Sequence, residues 1–282
     1  MQSEVAGIAV AQFAPGADPL ANLAAMRQLA AIAVERGATL VVFPEYSSWF
    51  QAQFSEATRA AAQGLDGDFV QQAAGIAAEF GIHLVFGLLE SGTVADDRVG
   101  NTLVALGPEG EVLATYRKLH LYDAFGHKES DWIRPGDIEP PQTFGWAGFT
   151  VGLQTCYDIR FPEVTRRLVD AGADLVLVPA EWVRGPLKEH HWRTLVHARA
   201  IENTMYVAAA DHPPPLGVGT SMIVDPQGVE IAAVGTTTDV AVAWLDRDAV
   251  ERVRRVNPAL RLRRLRVTDG APDTSRERGE AL

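Results

Sequence analysis

Short apolar runs alternate with longer alanine-rich segments along most of the 282-residue chain. Apolar runs bounded by glycine or proline are typical of buried strands, and longer segments with helical spacing are typical of amphipathic helices. The pattern predicts strands at Val5–Phe13, Thr39–Phe43, Ile82–Glu90, Phe149–Thr155, Leu175–Pro179 and Tyr206–Ala210. It predicts helices at Asp18–Arg36 (with Asp18 as the cap), Gly67–Phe80, Arg160–Ala171 and Pro186–Asn203.

Three pairs of short apolar runs are separated by turn residues and predict β-hairpins. The pairs are Asn101–Leu106 with Glu111–Lys118, Thr143–Trp146 with Phe149–Thr155, and Ser221–Val224 with Val229–Val234. Hairpins need antiparallel strands, whereas β-α-β alternation needs parallel ones. The combination predicts an α/β fold in which mixed sheets are covered by helices. Because no internal linker is present, we expect one domain over residues 1–266 and a mobile tail from Val267 to Leu282.

Composition and charge limit the cellular locations and the classes of binding partner that we expect for this protein. Thirty-six acidic and 25 basic side chains give a net charge of −11, which argues against a general nucleic-acid surface. The chain begins without a basic segment leading into an apolar run, and no apolar run approaches the roughly 20 residues that span a bilayer. The single cysteine cannot form an intrachain disulfide, which fits a reducing compartment. We therefore predict a cytoplasmic protein without nucleic-acid or membrane partners.

Arginines are concentrated between Arg252 and Arg266 of this acidic chain. One interpretation is a solvated helix followed by a surface arm. The other is an arm at a subunit interface that meets acidic surface elsewhere.

The lone thiol, Cys156, follows a predicted strand and precedes a predicted helix. A free cysteine is most often a small buried apolar residue. At a strand-to-helix turn, however, backbone N–H groups can bind an oxyanion and the helix N-terminus favours a thiolate. The setting therefore makes Cys156 a candidate nucleophile.

Histidine is the usual base for a cysteine nucleophile, but only His83 and His120 have a buried strand-end context in the sequence. No pair of histidines has metal-ligand spacing beside a carboxylate or thiolate, so we predict no zinc site. A carboxylate is the better partner. Glu45 follows a buried strand at the end where open α/β sheets place their sites, although it could also be a capping loop residue. Lys118 ends another strand and Glu129 lies in a polar loop, and either alone could be a solvated residue.

These positions together resemble the nitrilase superfamily of carbon–nitrogen hydrolases. The resemblance rests on long motifs in the family's order, and it extends from Val5 to about Arg266. The motifs are VVFPEYS around Glu45, YRKLHLYDAFGHKES around Lys118 and Glu129, GLQTCYDIRFPE around Cys156, LVLVPAEW, HWRTLVHARAIENTMYV and GTSMIVDPQG.

The resemblance implies a four-layer αββα sandwich that commonly dimerises, often with the arginine-rich arm reaching across the dimer. It implies that Glu45 is the general base, that Cys156 forms a thioester, and that Lys118 with the backbone N–H of Tyr157 stabilises the oxyanion. Glu129 would orient Lys118 or the substrate. We expect a cation beside the thiol to lower its pKa. No metal or organic cofactor is implied.

The residues after the cysteine separate the branches of the family. Tyr157-Asp158 stands where nitrilases usually have Trp-Glu, and only Arg160 is basic where carbamoyl-amino-acid hydrolases often have two basic residues. CYDIRFPE looks most like the amidase branch that includes omega-amidases and deaminated glutathione amidases. A carbamoylase is the alternative, with a nitrilase or an acyltransferase less favoured. We predict a small amide as substrate and a homodimer or higher homo-oligomer.

Substrate contacts are predicted at Arg160, Glu181 and Trp182. Arg160 could meet a substrate carboxylate, or it could form a structural ion pair with Asp158 or Glu163. Glu181 stands where many relatives have a small or neutral residue, and in the pocket it would favour a basic or neutral amide. The loops Ser47–Gln53 and Tyr122–Lys128 are expected to shape the pocket.

Overall fold

A computed structural model describes residues 5–92 and 97–268 of the chain. Strands and helices follow one another there in the predicted alternation. The strands are β1 Val5–Gln12, β2 Leu40–Val42, β3 His83–Glu90, β4 Val99–Leu106, β5 Val112–Arg117, β6 Ile133–Arg134, β7 Thr143–Trp146, β8 Phe149–Leu153, β9 Leu175–Pro179, β10 Tyr206–Ala210, β11 Met222–Val224, β12 Glu230–Ala233 and β13 Asp239–Asp246. The helices are α1 Pro19–Glu35, α2 Glu56–Ala61, α3 Asp68–Phe80, α4 Pro162–Asp170, α5 Lys188–Asn203, α6 Arg247–Val256 and α7 Ala259–Leu262.

Two mixed sheets form the centre of the fold. The first has the order β13-β1-β2-β3-β4-β5, with β6 beside β4, and the second has the order β12-β11-β10-β9-β8-β7. In the first sheet β1, β2 and β3 are parallel, and β4 and β5 form an antiparallel hairpin. In the second sheet β8, β9 and β10 are parallel. The carboxyl ends of β2, β5, β8, β9 and β10 therefore carry the loops that build the site.

The two sheets pack face to face through a shared apolar core. This core includes Ile8 and Leu40 from the first sheet and Leu153, Leu177 and Tyr206 from the second. A second core fills the space between the first sheet and helices α1 and α3, and a third lies between the second sheet and helices α4 and α5. Helix, sheet, sheet and helix are thus four layers, as the αββα prediction requires.

The boundaries of the elements follow local chemistry. Asp18 caps α1 by accepting the N–H groups of Leu20 and Ala21 at 3.0 and 3.3 Å. Gly81 ends α3 with a φ of +63°, which a side chain would disfavour. The predicted helix Arg160–Ala171 begins later, at Pro162, because the residue before a proline avoids helical geometry. Cys156–Arg160 instead forms a 3₁₀ turn that leads into α4.

The hydrophobic pattern missed several elements, among them the two-residue strand β6. The edge strand β13 pairs with β1 along eight residues, from Val5 opposite Asp246 to Gln12 opposite Asp239. Helix α2 is only six residues long and sits in a loop before α3. The other predicted strands, helices and hairpins are confirmed, with their ends displaced by a few residues.

The arginine-rich segment is helical as far as Val256 and continues through α7. Arg254 donates to the carbonyl of Ala173, and Arg263 donates to the carboxylate of Asp170, so the segment lies against the helices of its own chain. Residues 269–282, most of the tail predicted to be mobile, lie outside the described residues.

Candidate active site

Glu45 stands on a tight turn just after β2. The next residue, Tyr46, has a φ of +58°, and the turn packs directly against the backbone of β3 at Gly87. A Cβ at Gly87 would lie 2.3 Å from the backbone nitrogen of Tyr46. Only glycine therefore allows the turn to approach the strand this closely, and the approach fixes where the Glu45 carboxylate points.

Lys118 follows β5 and is fully buried between two carboxylates. Its Nζ lies 2.8 Å from Oε1 of Glu45 and 2.9 Å from Oε2 of Glu129. Asn101 on β4 donates to the same two groups, at 2.6 Å to Glu45 and 3.2 Å to Glu129. These contacts join the two acids and the lysine in one hydrogen-bonded cluster.

Glu129 is fixed from the other side by the loops of the site. Its carboxylate accepts hydrogen bonds from the Tyr46 hydroxyl and, at 2.6 Å, from the backbone N–H of Tyr122. The structure therefore places Glu129 against Lys118 rather than in a solvated loop.

Cys156 lies at the junction between β8 and the 3₁₀ turn. Its φ of +44° is in the left-handed region, which costs a non-glycine residue free energy and which functional sites often retain. The thiol donates to the carbonyl of Glu181 at 3.4 Å. The N–H of Tyr157 belongs to the first turn of this 3₁₀ helix, where amides have no acceptor within the helix.

The backbone of Glu181 connects the candidate base with the candidate nucleophile. Its N–H donates to Oε2 of Glu45 at 2.7 Å, while its carbonyl accepts the thiol of Cys156. The buried carboxylate of Asp211 holds the next peptide by accepting from Trp182 at 2.7 Å and from Val218 at 3.1 Å. A single peptide segment therefore sets the positions of both reacting groups.

Burial and neighbouring charge shift the pKa values of the cluster in different directions. Burial raises the pKa of Glu45, and the charge of Lys118 opposes that rise only in part. Burial also raises the pKa of Glu129, but the charge of Lys118 and the hydrogen bond from Tyr46 outweigh it, so the pKa falls below its usual value. Burial lowers the pKa of Lys118, yet the two carboxylates leave it well above the ordinary value. Lys118 and Glu129 are therefore charged, and Glu45 is the more basic carboxylate.

The pKa of the thiol reflects opposing influences. Burial raises the pKa of Cys156 well above its usual value, and the Glu45 carboxylate adds to the rise. Lys118 lowers this pKa, as expected of a nearby cation, but burial and the surrounding carboxylates outweigh it. The resting group is a neutral thiol that needs a base.

A cavity of about 320 Å³ opens onto the cluster. Loop residues 50–54 and 122–129 contribute to its wall, in agreement with the prediction for the two loops. The lining residues are Glu45, Tyr46, Phe50, Ala52, Gln53, Phe54, Lys118, Tyr122, Gly126, His127, Lys128, Glu129, Trp132, Cys156, Tyr157, Glu181, Trp182, Val183, Lys188 and Leu216.

Arg160 is the one predicted site residue that does not line this cavity. Its guanidinium lies 4.8 Å from the ring centre of Trp182 and 3.3 Å from Nδ1 of His191. In the described part of the chain it pairs with neither Asp158 nor Glu163, so the ion-pair alternative was wrong. The Asp158 carboxylate is instead hydrogen-bonded to the Tyr116 hydroxyl and the His120 ring.

Sequence reasoning missed three residues that support the cluster: Asn101, Asp211 and His212. The Nε2 of His212 lies 2.7 Å from the backbone carbonyl of Glu45, and burial lowers the pKa of His212 to about 4. The ring is therefore neutral and donates this hydrogen bond. The position of Asp211 and His212 in the sequence could have identified them, because both directly follow β10, as Glu45 follows β2.

Among the described residues, no group of three or more histidine, cysteine, aspartate or glutamate side chains is arranged to hold a metal ion. No helix among them has the length and apolarity to cross a membrane.

The four-layer fold, with a buried carboxylate, ammonium and thiol at the carboxyl ends of its strands, defines a nitrilase-type hydrolase of carbon–nitrogen bonds. The chain belongs to the carbon-nitrogen hydrolase family, which it matches over residues 7–255. The sequence-based prediction of family and fold is thereby confirmed.

Three similar proteins illustrate the relationship. A hydrolase of Mycobacterium tuberculosis is 38% identical over 88% of this chain and 91% of its own length. A deaminated glutathione amidase of Synechocystis is 32% identical over 86% of this chain and 92% of its own length. The amidase of Nesterenkonia superposes with a TM-score of 0.74 at 31% identity, covering 93% of this chain and 98% of that one.

Proposed function

We propose that this protein hydrolyses the amide of a small carboxylic acid through a thioester on Cys156, with Glu45 and Lys118 completing a catalytic triad. The observation that carries the proposal is the pair of contacts made by the two carboxylate oxygens of Glu45. One of its carboxylate oxygens contacts Lys118, and the other contacts the peptide of Glu181 that receives the thiol. Base, cation and nucleophile thus face one cavity in a connected arrangement.

The first step forms the sulfur–carbon bond. Glu45 accepts the thiol proton, and its raised pKa makes it a stronger base than an exposed carboxylate. The sulfur attacks the amide carbonyl, and the carbonyl π electrons move onto oxygen. Lys118 and the N–H of Tyr157 donate to this oxyanion, where one such donor is typically worth about 3 kcal/mol.

The second step breaks the carbon–nitrogen bond. The oxyanion re-forms the carbonyl, Glu45 returns its proton to the departing nitrogen, and ammonia or an amine leaves the thioester. Glu45 then takes a proton from water, whose oxygen attacks the thioester. Collapse of that intermediate releases the acid, and the proton held by Glu45 restores the Cys156 thiol.

Glu129 supports the cycle without exchanging protons with the substrate. Its lowered pKa keeps it ionised, and its contacts with Lys118 keep the ammonium charged and in place. The cluster therefore retains an oxyanion donor throughout both half-reactions.

The relatives support an amide substrate. A Nesterenkonia amidase variant carries the acetamide moiety of fluoroacetamide covalently on its active-site cysteine. Another variant was solved with butyramide. The relative in Synechocystis is a deaminated glutathione amidase. The carbamoylase, nitrilase and acyltransferase alternatives are not favoured by any of these findings.

We further propose a homodimer that works in the cytoplasm. Large apolar side chains of the arginine-rich segment are open to solvent, with Val256 88% and Leu265 86% exposed. These side chains would be buried if a second subunit covered this segment. The single free cysteine supports a reducing compartment.

Replacement of the thiol tests the reaction directly. Purified Cys156→Ala protein should release no ammonia or acid from a panel of amides, N-carbamoyl amino acids and nitriles. The native protein should turn over an amide. The variant should keep its fold because the change removes one buried sulfur, which circular dichroism can verify. Turnover by the folded variant would overturn the assignment of Cys156, and turnover of nitriles alone would overturn the amide.

A further inference from the structure

A buried carboxylate that does not line the cavity joins the two segments that carry Lys118 and Cys156. Asp158 lies two residues after the thiol and is completely inaccessible to solvent. It takes no part in the proposed proton transfers. Burial of a carboxylate is costly unless hydrogen bonds compensate for it, so the partners of Asp158 indicate what it does in the fold.

One set of partners comes from the residues on either side of Lys118. The Tyr116 hydroxyl donates to Oδ2 of Asp158 at 2.7 Å. The backbone N–H of His120 donates to Oδ1 at 3.0 Å, and Nδ1 of the His120 ring lies 2.8 Å from the same oxygen. Tyr116 comes two residues before Lys118 and His120 comes two residues after it. Both ends of the short segment that carries the ammonium are therefore hydrogen-bonded to Asp158.

The remaining partner closes the turn that carries the thiol. Oδ2 of Asp158 accepts the backbone N–H of Thr155 at 3.4 Å, and the backbone N–H of Asp158 donates to the carbonyl of Thr155 at 3.0 Å. These contacts enclose Cys156 and Tyr157. Cys156 has the left-handed φ of +44°, a conformation that the surrounding structure must maintain, and Tyr157 supplies the N–H assigned to the oxyanion.

Ring contacts hold the same junction on its outer side. The ring of His120 stacks on that of Phe161, with 3.7 Å between the ring centres and 9° between the planes. The ring of Tyr157 meets the edge of Phe161 at 5.5 Å. The segment after Lys118 and the turn after Cys156 are thus packed together as well as hydrogen-bonded.

We propose that Asp158 is a positioning residue that fixes the separation of the two oxyanion donors, the Lys118 ammonium and the Tyr157 N–H, by connecting the segments that carry them. This inference rests on the proposed function and adds to it a group that neither touches the substrate nor exchanges a proton with it. Both donors must meet one oxygen as its charge develops, and a displacement of about 1 Å can cost on the order of 100-fold in rate.

Replacement of the carboxylate by an amide tests the proposal. In Asp158→Asn the side chain keeps its size, but its NH₂ group must face the backbone N–H of either His120 or Thr155, each of which now meets a carboxylate oxygen. We expect kcat for the best amide of the panel to fall about 30-fold while KM changes less than about threefold, because the donors act mainly in the transition state. Steady-state kinetics would measure both. An unchanged kcat, or a loss in KM alone, would overturn the proposal.

The reactivity of the thiol distinguishes positioning of the oxyanion donors from a general loss of structure. Iodoacetamide alkylates Cys156 as iodide leaves and Glu45 takes the thiol proton, so no oxyanion develops. The rate of alkylation, followed by intact-mass spectrometry, should change less than about threefold in Asp158→Asn. Equal losses of alkylation and turnover would show a general structural role and overturn the proposal.

The matched control is Asp174→Asn, which alters another buried carboxylate beside the second sheet. Asp174 accepts the backbone N–H of Thr150 at 2.8 Å near the start of β8, at the opposite end of that strand from Cys156. This variant should lose stability in urea denaturation but keep kcat within about twofold. A similar fall in kcat in both variants would refute a specific role for Asp158.

A milder variant decides the question if Asp158→Asn does not fold. Tyr116→Phe removes one hydroxyl and leaves the contacts of Asp158 with His120 and Thr155 in place. It should lower kcat about fivefold, the usual effect of one lost hydrogen bond, with the alkylation rate unchanged. An unchanged kcat in Tyr116→Phe would overturn the proposal.

Binding of an aldehyde separates this inference from the proposed reaction. Butyraldehyde forms a reversible adduct with a cysteine in which sulfur bonds to the carbonyl carbon and the thiol proton reaches the carbonyl oxygen. This oxygen takes the position of the oxyanion, as in a transition-state analogue. In calorimetric titrations the affinity of the native protein for butyraldehyde should exceed that of Asp158→Asn at least about tenfold.

Equal affinities, or no binding by the native protein, would overturn the positioning role even if amides are hydrolysed. Weaker binding by Asp158→Asn would support the role even if the native protein hydrolyses no amide, which would refute only the proposed function.

Discussion

At the scale of single residues, Lys118 has the most constrained environment of the site. It is enclosed by Glu45 and Glu129 and is almost completely inaccessible to solvent. Its position suits a group that stays charged and donates to an oxygen as negative charge develops. The cluster would lose that function if the ammonium were removed while the surrounding shape was kept.

Lys118→Met should therefore lower kcat at least about 100-fold, the usual effect of removing one oxyanion donor. Steady-state kinetics with the best amide of the panel would measure it. Arg27→Met is the comparison, because Arg27 forms an exposed ion pair with Glu79 far from the cavity. A decrease smaller than about tenfold in Lys118→Met would contradict an oxyanion role for Lys118.

The residues that support the site were harder to predict from the sequence than Glu45 and Cys156. Glu45 and Cys156 could be found because each follows an apolar strand, and chemistry is placed at such ends. Asn101 has no comparable signal because it lies within a strand, and the position of His212 after β10 does not reveal its hydrogen bond to a backbone carbonyl. The placement of Lys188 depends on how the start of α5 meets the loop of Tyr122, which one sequence does not specify.

At the scale of elements, the contact between β3 and the turn after β2 determines the position of Glu45. The backbone of the turn around Glu45 and Tyr46 packs on Gly87, where no side chain could fit. Close packing of this kind cannot relax by moving a flexible side chain, because the atoms in contact belong to the main chain.

Gly87→Ala should destabilise the fold by roughly 1–3 kcal/mol and displace Glu45, so that activity falls even in protein that remains folded. Urea denaturation and kcat would be measured together. Gly145→Ala is the matched control, because Gly145 also lies in a strand but a Cβ there would meet nothing within 4 Å. Similar behaviour of the two variants would refute the argument from close approach.

The elements themselves were largely predictable from the hydrophobic pattern. Interior strands such as β9 and β10 are continuous apolar runs, and the structure has them at the predicted residues. The edge strand β13 was missed although residues 240–245 between its terminal aspartates are an unbroken apolar run. The start of α4 was misplaced because Pro162, rather than the apolar spacing, determines it.

At the scale of the whole molecule, the arginine-rich segment carries exposed apolar side chains. The arginine-rich segment packs on its own chain through Arg254 and Arg263, yet Val256 and Leu265 point away from it. This combination fits a segment that is anchored in one subunit and contacts another.

The double variant Val256→Asp, Leu265→Asp should therefore convert a dimer to monomers, because two buried charges per subunit would oppose association. Sedimentation velocity would measure the change. Leu20→Asp serves as the control, since Leu20 is also exposed but lies on α1 in the other helix layer. A native protein that sediments as a monomer, or a double variant that remains dimeric, would contradict this interface.

The peptide of Glu181 has a consequence for how this enzyme could change its preferences. Both of its contacts with the reacting groups are made by main-chain atoms, at the N–H to Glu45 and at the carbonyl to Cys156. Its side chain faces the cavity separately. Substitution of residue 181 should therefore keep these two main-chain contacts while it changes the size and charge of the cavity wall.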